Sequence, residues 1–166
     1  VIEVRGSRQL RAAVLAMKAA DRTLRSDINK ATRAIFNPVW RAAVAEGAQS
    51  RMDSRVLVQG ARISAGNPPV AVAATSRRRL RGGLVPAQSW HAVEFGADRR
   101  VKRTYERISP SGRPHEVTRR TRAQLPARTK GGRVVYAAFA RVAPRVVSMW
   151  VQLIVRKYSE AAEKGS

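Results

Sequence analysis

An α+β fold is predicted for this chain: two N-terminal helices and one long C-terminal helix packed on a small, mostly antiparallel sheet, with an extended basic hairpin or loop inserted. Three observations predict it. Apolar residues recur at helical spacing near both ends, short β-type runs punctuated by glycine fill the middle, and excess positive charge is concentrated in that middle. The 166 residues make one domain. Its parts are a strand plus helices over 1–50, short strands over 51–97, a basic hairpin or arm over 98–133, and a C-terminal helix over 134–166.

Residues 1–4 alternate loosely and read as a short strand. Ser7 is the N-cap of a first helix carrying Leu10, Ala13, Val14, Met17 and Leu24 on one face, with Arg11, Lys18, Arg22 and Arg25 opposite. Asp27 then caps a second helix with Ile28, Ala31, Ile35, Val39, Ala42 and Ala43 on one face. Phe36 and Trp40 form an adjoining stripe. Pro38 is expected to kink this helix or remove one of its hydrogen bonds, and Gly47 to end it.

From Arg55 the pattern changes. Val56-Leu57-Val58, Val70-Ala71-Val72-Ala73 and His91-Ala92-Val93-Glu94-Phe95 read as short strands, punctuated by Gly60, Gly66-Asn67-Pro68-Pro69, Gly82-Gly83 and Gly96. Residues 101–108 read as a basic strand, Ser109-Pro110-Ser111-Gly112 as a turn and 116–121 as the returning strand. The segment 109–133, rich in proline and glycine, is expected to be the most mobile. Phe139, Val142, Val146, Met149, Trp150, Leu153 and Ile154 mark the last helix, expected from near Ala143 to near Glu163. Pro144 suits its first turn, and Arg156 and Lys157 suit its C-terminal dipole.

Composition narrows the function classes. The chain has no cysteine, which excludes disulfides and thiolate metal sites. The opening Val-Ile-Glu-Val-Arg lacks the charged and apolar regions of a secretory signal. The longest near-apolar run, 146–155, is short of the roughly 20 residues that span a bilayer, so it reads as a core helix and no membrane partner is expected. Only 5% of residues are aromatic, which argues against a base-stacking single-strand binder.

Catalysis finds little support. His91 beside Trp90 reads as structural or superficial, and His115 as solvated or phosphate-facing. The eleven carboxylates form no metal-like pair; Glu160 and Glu163 are three apart but lie at a helix end. Lys130-Gly131-Gly132 reverses the order of a phosphate-binding loop. Tyr105 stands among arginines without a histidine to activate it. The expectation is a non-enzymatic protein with no cofactor and no metal.

Charge is the strongest signal. The formal net charge is +22, made of +5 over 1–50, +14 over 51–140 and +3 over 141–166. Three runs carry most of the middle excess: Arg77, Arg78, Arg79 and Arg81; Arg99, Arg100, Lys102 and Arg103; Arg119, Arg120 and Arg122. Only Glu94, Asp98, Glu106 and Glu116 balance them over 77–133. Such a surface needs an anionic neighbour, either phosphate or the carboxylates of another subunit. No helix-turn-helix, zinc-finger or basic-zipper pattern appears, so sequence-specific reading of DNA is not expected.

Three features fall in one order. Ile2-Glu3-Val4 leads into two basic amphipathic helices with Asn37-Pro38-Val39 inside the second. The run 91–96, ending Glu94-Phe95-Gly96, follows as a strand end. Tyr136-Ala137-Ala138-Phe139 then precedes Pro144-Arg145 in the last helix. This arrangement resembles the small neck proteins of long-tailed (siphovirus) bacteriophages, the head–tail connector or tail-completion family, over 1–50 and 90–165. It leaves 51–89 uncovered and makes 98–133 an insertion. The resemblance implies a virion protein, made in the host cytoplasm, that forms a homo-oligomeric ring at the head–tail junction, a hexamer preferred over a dodecamer. Its implied partners are adjacent connector, portal-side or tail proteins and packaged DNA passing non-specifically through the lumen. Trimming 98–133 is then expected to abolish assembly while leaving a folded core. The competing reading is a sequence-nonspecific nucleic-acid-binding protein, nucleoid-like or ribosome-associated.

Overall fold

A computed structural model describes residues 8–120 and 124–165. The expected strand over 1–4, the Ser7 cap, Thr121 and Arg122 lie outside the described residues. The fold is mixed α+β, but its strands form two separate two-stranded antiparallel sheets instead of one.

Helix α1 (Arg8–Ala19) buries Leu10, Ala13 and Met17 and stops where Asp21 begins a new helix. Asp21 Oδ1 accepts the Leu24 amide at 2.8 Å and so caps α2 (Arg22–Gly47). Leu24 therefore belongs to the second helix, and Asp27 is not its cap. Asp27 sits inside the helix, exposed and 3.8 Å from Lys30. The Arg25 guanidinium reaches back to the Lys18 and Ala20 carbonyls at 2.9 and 3.0 Å, satisfying acceptors that the end of α1 leaves open.

The core-facing stripe of α2 is Ile28, Thr32, Phe36, Trp40, Ala43 and Val44. The buried stripe thus keeps Ile28 and Ala43 of the expected face and adds the adjoining Phe36 and Trp40, while Ile35 is left exposed. Pro38 lies on the exposed side within α2, so its missing donor costs the core nothing. Asn37 and Trp40 on this helix hold β1 (Arg62–Ser64) and β2 (Val70–Val72). The Ile63 amide donates to Asn37 Oδ1 at 2.7 Å and the Trp40 indole to the Val72 carbonyl at 2.9 Å.

Two expected strands are helical. Val56-Leu57-Val58 falls in a π-helical turn (Ser54–Val58) that continues the single turn α3 (Arg51–Asp53). The reason is a reciprocal cap: Asp53 donates its amide to Ser50 Oγ and accepts the Ser50 amide, so a helical start precedes the apolar run. Residues 91–95 belong to α4 (Pro86–Phe95), which Pro86 opens at the first helical position. Adjacent Val93 and Glu94 are both buried, which alternation along a half-buried strand would forbid.

The expected basic hairpin is present as β3 (Arg103–Ile108) and β4 (Pro114–Arg119), closed by a turn in which the Gly112 amide donates to the Ser109 carbonyl. It occupies only part of 98–133. Residues 126–129 run beside the end of α4 instead, with the Ala97 amide on the Pro126 carbonyl and the Thr129 amide on the Phe95 carbonyl.

Helix α5 (Val135–Gly165) starts earlier than expected near Ala143, and Pro144 lies inside it on the exposed side. It packs along α2 and α1, burying Ala138, Ala143, Trp150, Leu153 and Ile154. Phe139 meets Trp40 edge-on at 6.3 Å. The Tyr158 hydroxyl donates to the Ala16 carbonyl, and Arg141 grips Glu46 through two 2.8 Å bonds. By length and composition α5 could cross a bilayer. The expected run over 146–155 is thus part of a longer apolar stretch, 28% of it buried, which packs against α2 and α1 and forms one wall of the groove described next.

Candidate assembly and nucleic-acid interface

Three surfaces or sites stand out: an open apolar groove, the basic runs, and a buried polar network that positions both.

The groove lies between α1, β2 and α5 and has a volume of about 1140 Å³. Trp40, Phe139 and Trp150 line it on the α2–α5 side, Leu10 and Val14 on α1, and Val70 and Val72 on β2. Among the described residues Arg11 is its one charged lining residue. At its edge Leu15 is 64% and Val70 45% exposed. Contiguous apolar surface of this kind marks an interaction site on a protein otherwise rich in charge.

The basic runs are displayed on two supports. Arg77, Arg78, Arg79 and Arg81 are exposed on the turn before α4, where the Leu80 amide bonds the Leu84 carbonyl at 2.8 Å. Leu80 and Leu84 pack on the core, so the turn is anchored through its leucines with its arginines outward. The second and third runs come together at the base of the hairpin, because Arg103 is the register partner of Arg119. Arg100, Lys102 and Arg120 are exposed nearby; Arg99 is tied by its Nε to the Leu125 carbonyl at 2.9 Å. The hairpin itself is exposed over both strands except at half-buried Val117.

The register sorts the hairpin's charges. Arg103, Tyr105 and Arg107 share one face with Arg119, Val117 and His115. The other face carries Thr104, Glu106 and Ile108 with Thr118, Glu116 and Pro114. The two threonine hydroxyls bond across it at 2.8 Å. His91 lies elsewhere, exposed and stacked on Trp90 with ring centroids 3.7 Å apart.

Sequence reasoning missed the buried network. Glu94 is fully buried, and its carboxylate accepts four successive backbone amides: Arg133, Val134 and Tyr136 on Oε1 at 2.9, 3.0 and 3.1 Å, and Val135 on Oε2 at 3.0 Å. These amides belong to the start of α5, where no helical carbonyl precedes them. The Arg133 guanidinium bonds Asp53 Oδ1 at 2.6 Å and the Val93 carbonyl at 3.2 Å. Asp53, itself 1% exposed, accepts the Gln49 and Ser50 amides on its other oxygen. One chain of charge-assisted bonds thus ties the end of α2, the end of α4 and the start of α5.

Glycine is required at two points of this joint. Gly96 has φ +70°, and a β-carbon there would stand 2.3 Å from the Ala127 carbonyl oxygen. Gly132 has φ +77°, and a β-carbon would stand 2.7 Å from Glu94 Oε1. The Glu94-Phe95-Gly96 motif is therefore a helix end that caps another helix, not a strand end. The available signal was a lone acid inside an apolar run.

Among the described residues no three His, Asp or Glu side chains gather as a metal ion would require. Comparison with protein-family models, with curated proteins and with solved structures finds no match.

Proposed function

We propose that this chain is a ring-forming structural subunit of the neck of a long-tailed bacteriophage, joining the DNA-filled head to the tail. The observation that carries the reading is incompleteness: the body leaves a groove of about 1140 Å³ lined by apolar side chains, and a hairpin is exposed over nearly its whole length. An isolated two-stranded hairpin is at best marginally stable in water. A neighbouring copy in a ring covers the groove on every subunit at once, because a heterologous contact repeats until the rotation closes. The phage context comes from the sequence resemblance, which does not extend to a strand end at Glu94-Phe95-Gly96 or a proline-led last helix, since the first is a helix end and Pro144 lies inside α5. The rings above and below, on the portal side and the tail side, are the remaining protein partners, and DNA passes through the lumen without being read.

Light scattering and negative-stain microscopy test this. The expected result is a closed ring, six copies before twelve. A protein that stays monomeric at tens of micromolar in physiological salt, both alone and with duplex DNA, refutes it. The second reading, a free non-specific nucleic-acid-binding protein, is favoured by the net charge of +22. A monomer whose affinity for duplex DNA falls steeply with salt would establish it instead.

A further inference from the structure

We infer that the β3–β4 hairpin is a DNA-docking ribbon with a defined orientation: the face carrying Arg103, Arg107, Arg119 and Tyr105 lies against the phosphate backbone of a duplex, and the face carrying Glu106 and Glu116 turns away. The inference deepens the neck reading, which requires DNA to pass, by assigning the surface it passes.

The argument begins with the register. Arg103 stands directly opposite Arg119, and Glu106 directly opposite Glu116. Like charges opposed across an antiparallel pair destabilise it, so these two pairs, unlike Thr104–Thr118 and Tyr105–Val117, are not arranged for the hairpin's own benefit. None of Arg103, Arg107 and Arg119 has a carboxylate partner among the described residues, so their charge is available to something outside the chain. Arginine offers a planar pair of donors to one phosphate, where a lysine offers a point charge.

Geometry favours a duplex over an acidic protein surface. A two-stranded ribbon is one of the elements that the roughly 12 Å major groove admits, and this one is exposed on both faces. Arg103 and Arg107 leave the same face about 14 Å apart, at about 3.4 Å per residue along the strand. That distance spans about four phosphates of one DNA strand along the axis. Tyr105, 43% exposed between them, fills the gap with a ring and a hydroxyl donor. The face carries no Asn or Gln for reading adenine, in keeping with backbone contact alone. The carboxylates on the reverse face repel phosphate and so exclude the flipped orientation.

The test is fluorescence anisotropy of the full chain on a mixed-sequence duplex of about 24 base pairs across a salt series. Combining Arg103→Gln, Arg107→Gln and Arg119→Gln removes three phosphate contacts. The slope of log K against log salt should flatten by about 2.7, and affinity near 0.15 M salt should fall roughly 100-fold. Combining Arg77→Gln, Arg78→Gln and Arg79→Gln makes the same charge change on the other turn and should have a much smaller effect. Glu106→Gln with Glu116→Gln should leave the slope unchanged. Equal weakening by both arginine triples, or an unchanged slope in the hairpin triple, overturns the inference. So does polyglutamate of matched charge binding as tightly as DNA through the same three residues, which would assign the face to an acidic protein. Light scattering on the same samples separates the two readings. Rings with an unchanged DNA slope overturn the inference alone; a wild-type monomer that binds DNA through the hairpin overturns the neck reading alone.

Discussion

Replacing Glu94 by glutamine changes one oxygen to an amide in a fully buried space, and the four amides around it make the cost calculable. Oε1 accepts three of them and Oε2 accepts the fourth, from Val135. With its carbonyl at the Oε1 position, glutamine keeps three acceptor contacts and points an NH₂ at the Val135 amide. One buried donor is then left without a partner, at a cost of about 1–3 kcal/mol. The loss of negative charge at the N-terminus of a long helix adds up to about 2 kcal/mol in a buried setting. The flipped orientation is worse, since three amides then face the NH₂. Glu94→Gln should therefore destabilise the fold by about 3 kcal/mol, which for a domain of this size lowers Tm by about 6–12 °C. Thermal unfolding followed by far-ultraviolet circular dichroism, at one protein concentration so that assembly does not shift the midpoint, measures it. Hydrogen exchange at residues 134–136 supplies the local readout, because those amides lose protection before the rest of α5. A Tm within about 2 °C of wild type, with those amides still protected, would refute the assignment of Glu94 as the cap of α5.

Further outcomes are expected. Arg133→Ala leaves the Asp53 carboxylate buried and unpaired and should cost about 3–5 kcal/mol in urea unfolding, with Arg133→Lys recovering part of it. Gly96→Ala combines a positive φ with a β-carbon 2.3 Å from the Ala127 oxygen, so it should lower the yield of folded protein or its Tm more than Gly82→Ala, whose β-carbon meets nothing. Replacing residues 103–119 by a short glycine linker should leave Tm nearly unchanged while removing most of the salt-dependent affinity for duplex DNA in fluorescence anisotropy. Excising all of 98–133 should instead unfold the chain, because Arg133 and the 126–129 segment belong to the body. At Glu160, hydrogen bonds from Lys157 and then Arg156 hold the carboxyl below its ordinary value of 4.5. A carboxyl lowered in the folded state stabilises above the unfolded value and loses that contribution as pH falls through the folded one. Glu160→Gln should accordingly be slightly less stable at neutral pH and converge with wild type at a pH low enough to protonate both, as seen in acid unfolding curves.

How much was legible in the sequence follows from how local each cause is. The helical spacing of Leu10, Ala13 and Met17, and of Trp150, Leu153 and Ile154, marks core faces because burial of a helix stripe depends on neighbours three and four residues away. The β3–β4 hairpin is legible for the same reason: its turn residues and both strands lie within one short stretch. Runs such as Val56-Leu57-Val58 and 91–95 are too short for periodicity to separate strand from helix, and what decided them lay outside the run, in the Ser50–Asp53 cap and in Pro86. The start of α5 was illegible because its cap comes from Glu94, 41 residues before Val135. Asp21 and Asp27 are chemically equal candidates for capping α2, and only the break in the chain after α1 selects the first. For the surface, the composition of each basic run was visible, but which arginines share a face depends on the pairing of Arg103 with Arg119, a property of register.

The carboxylates sharpen the meaning of the excess charge. Asp53 and Glu94 are inside the protein, fixing α5. Asp21 caps α2, and Glu46, Asp27 and Glu160 pair with cations of the body. Glu106 and Glu116, by contrast, face each other across the arm, on the side away from its arginines. The body therefore neutralises part of its own charge, while the hairpin and the 77–81 turn present arginines that no carboxylate among the described residues meets. Copies bearing such surfaces repel one another at low ionic strength, and screening or a polyanion must offset that repulsion before a ring can close. Assembly and anion binding are then linked equilibria, each strengthening the other. In a neck ring the polyanion running along the axis is DNA, so the charge that hinders assembly of the empty ring favours the ring once DNA occupies it.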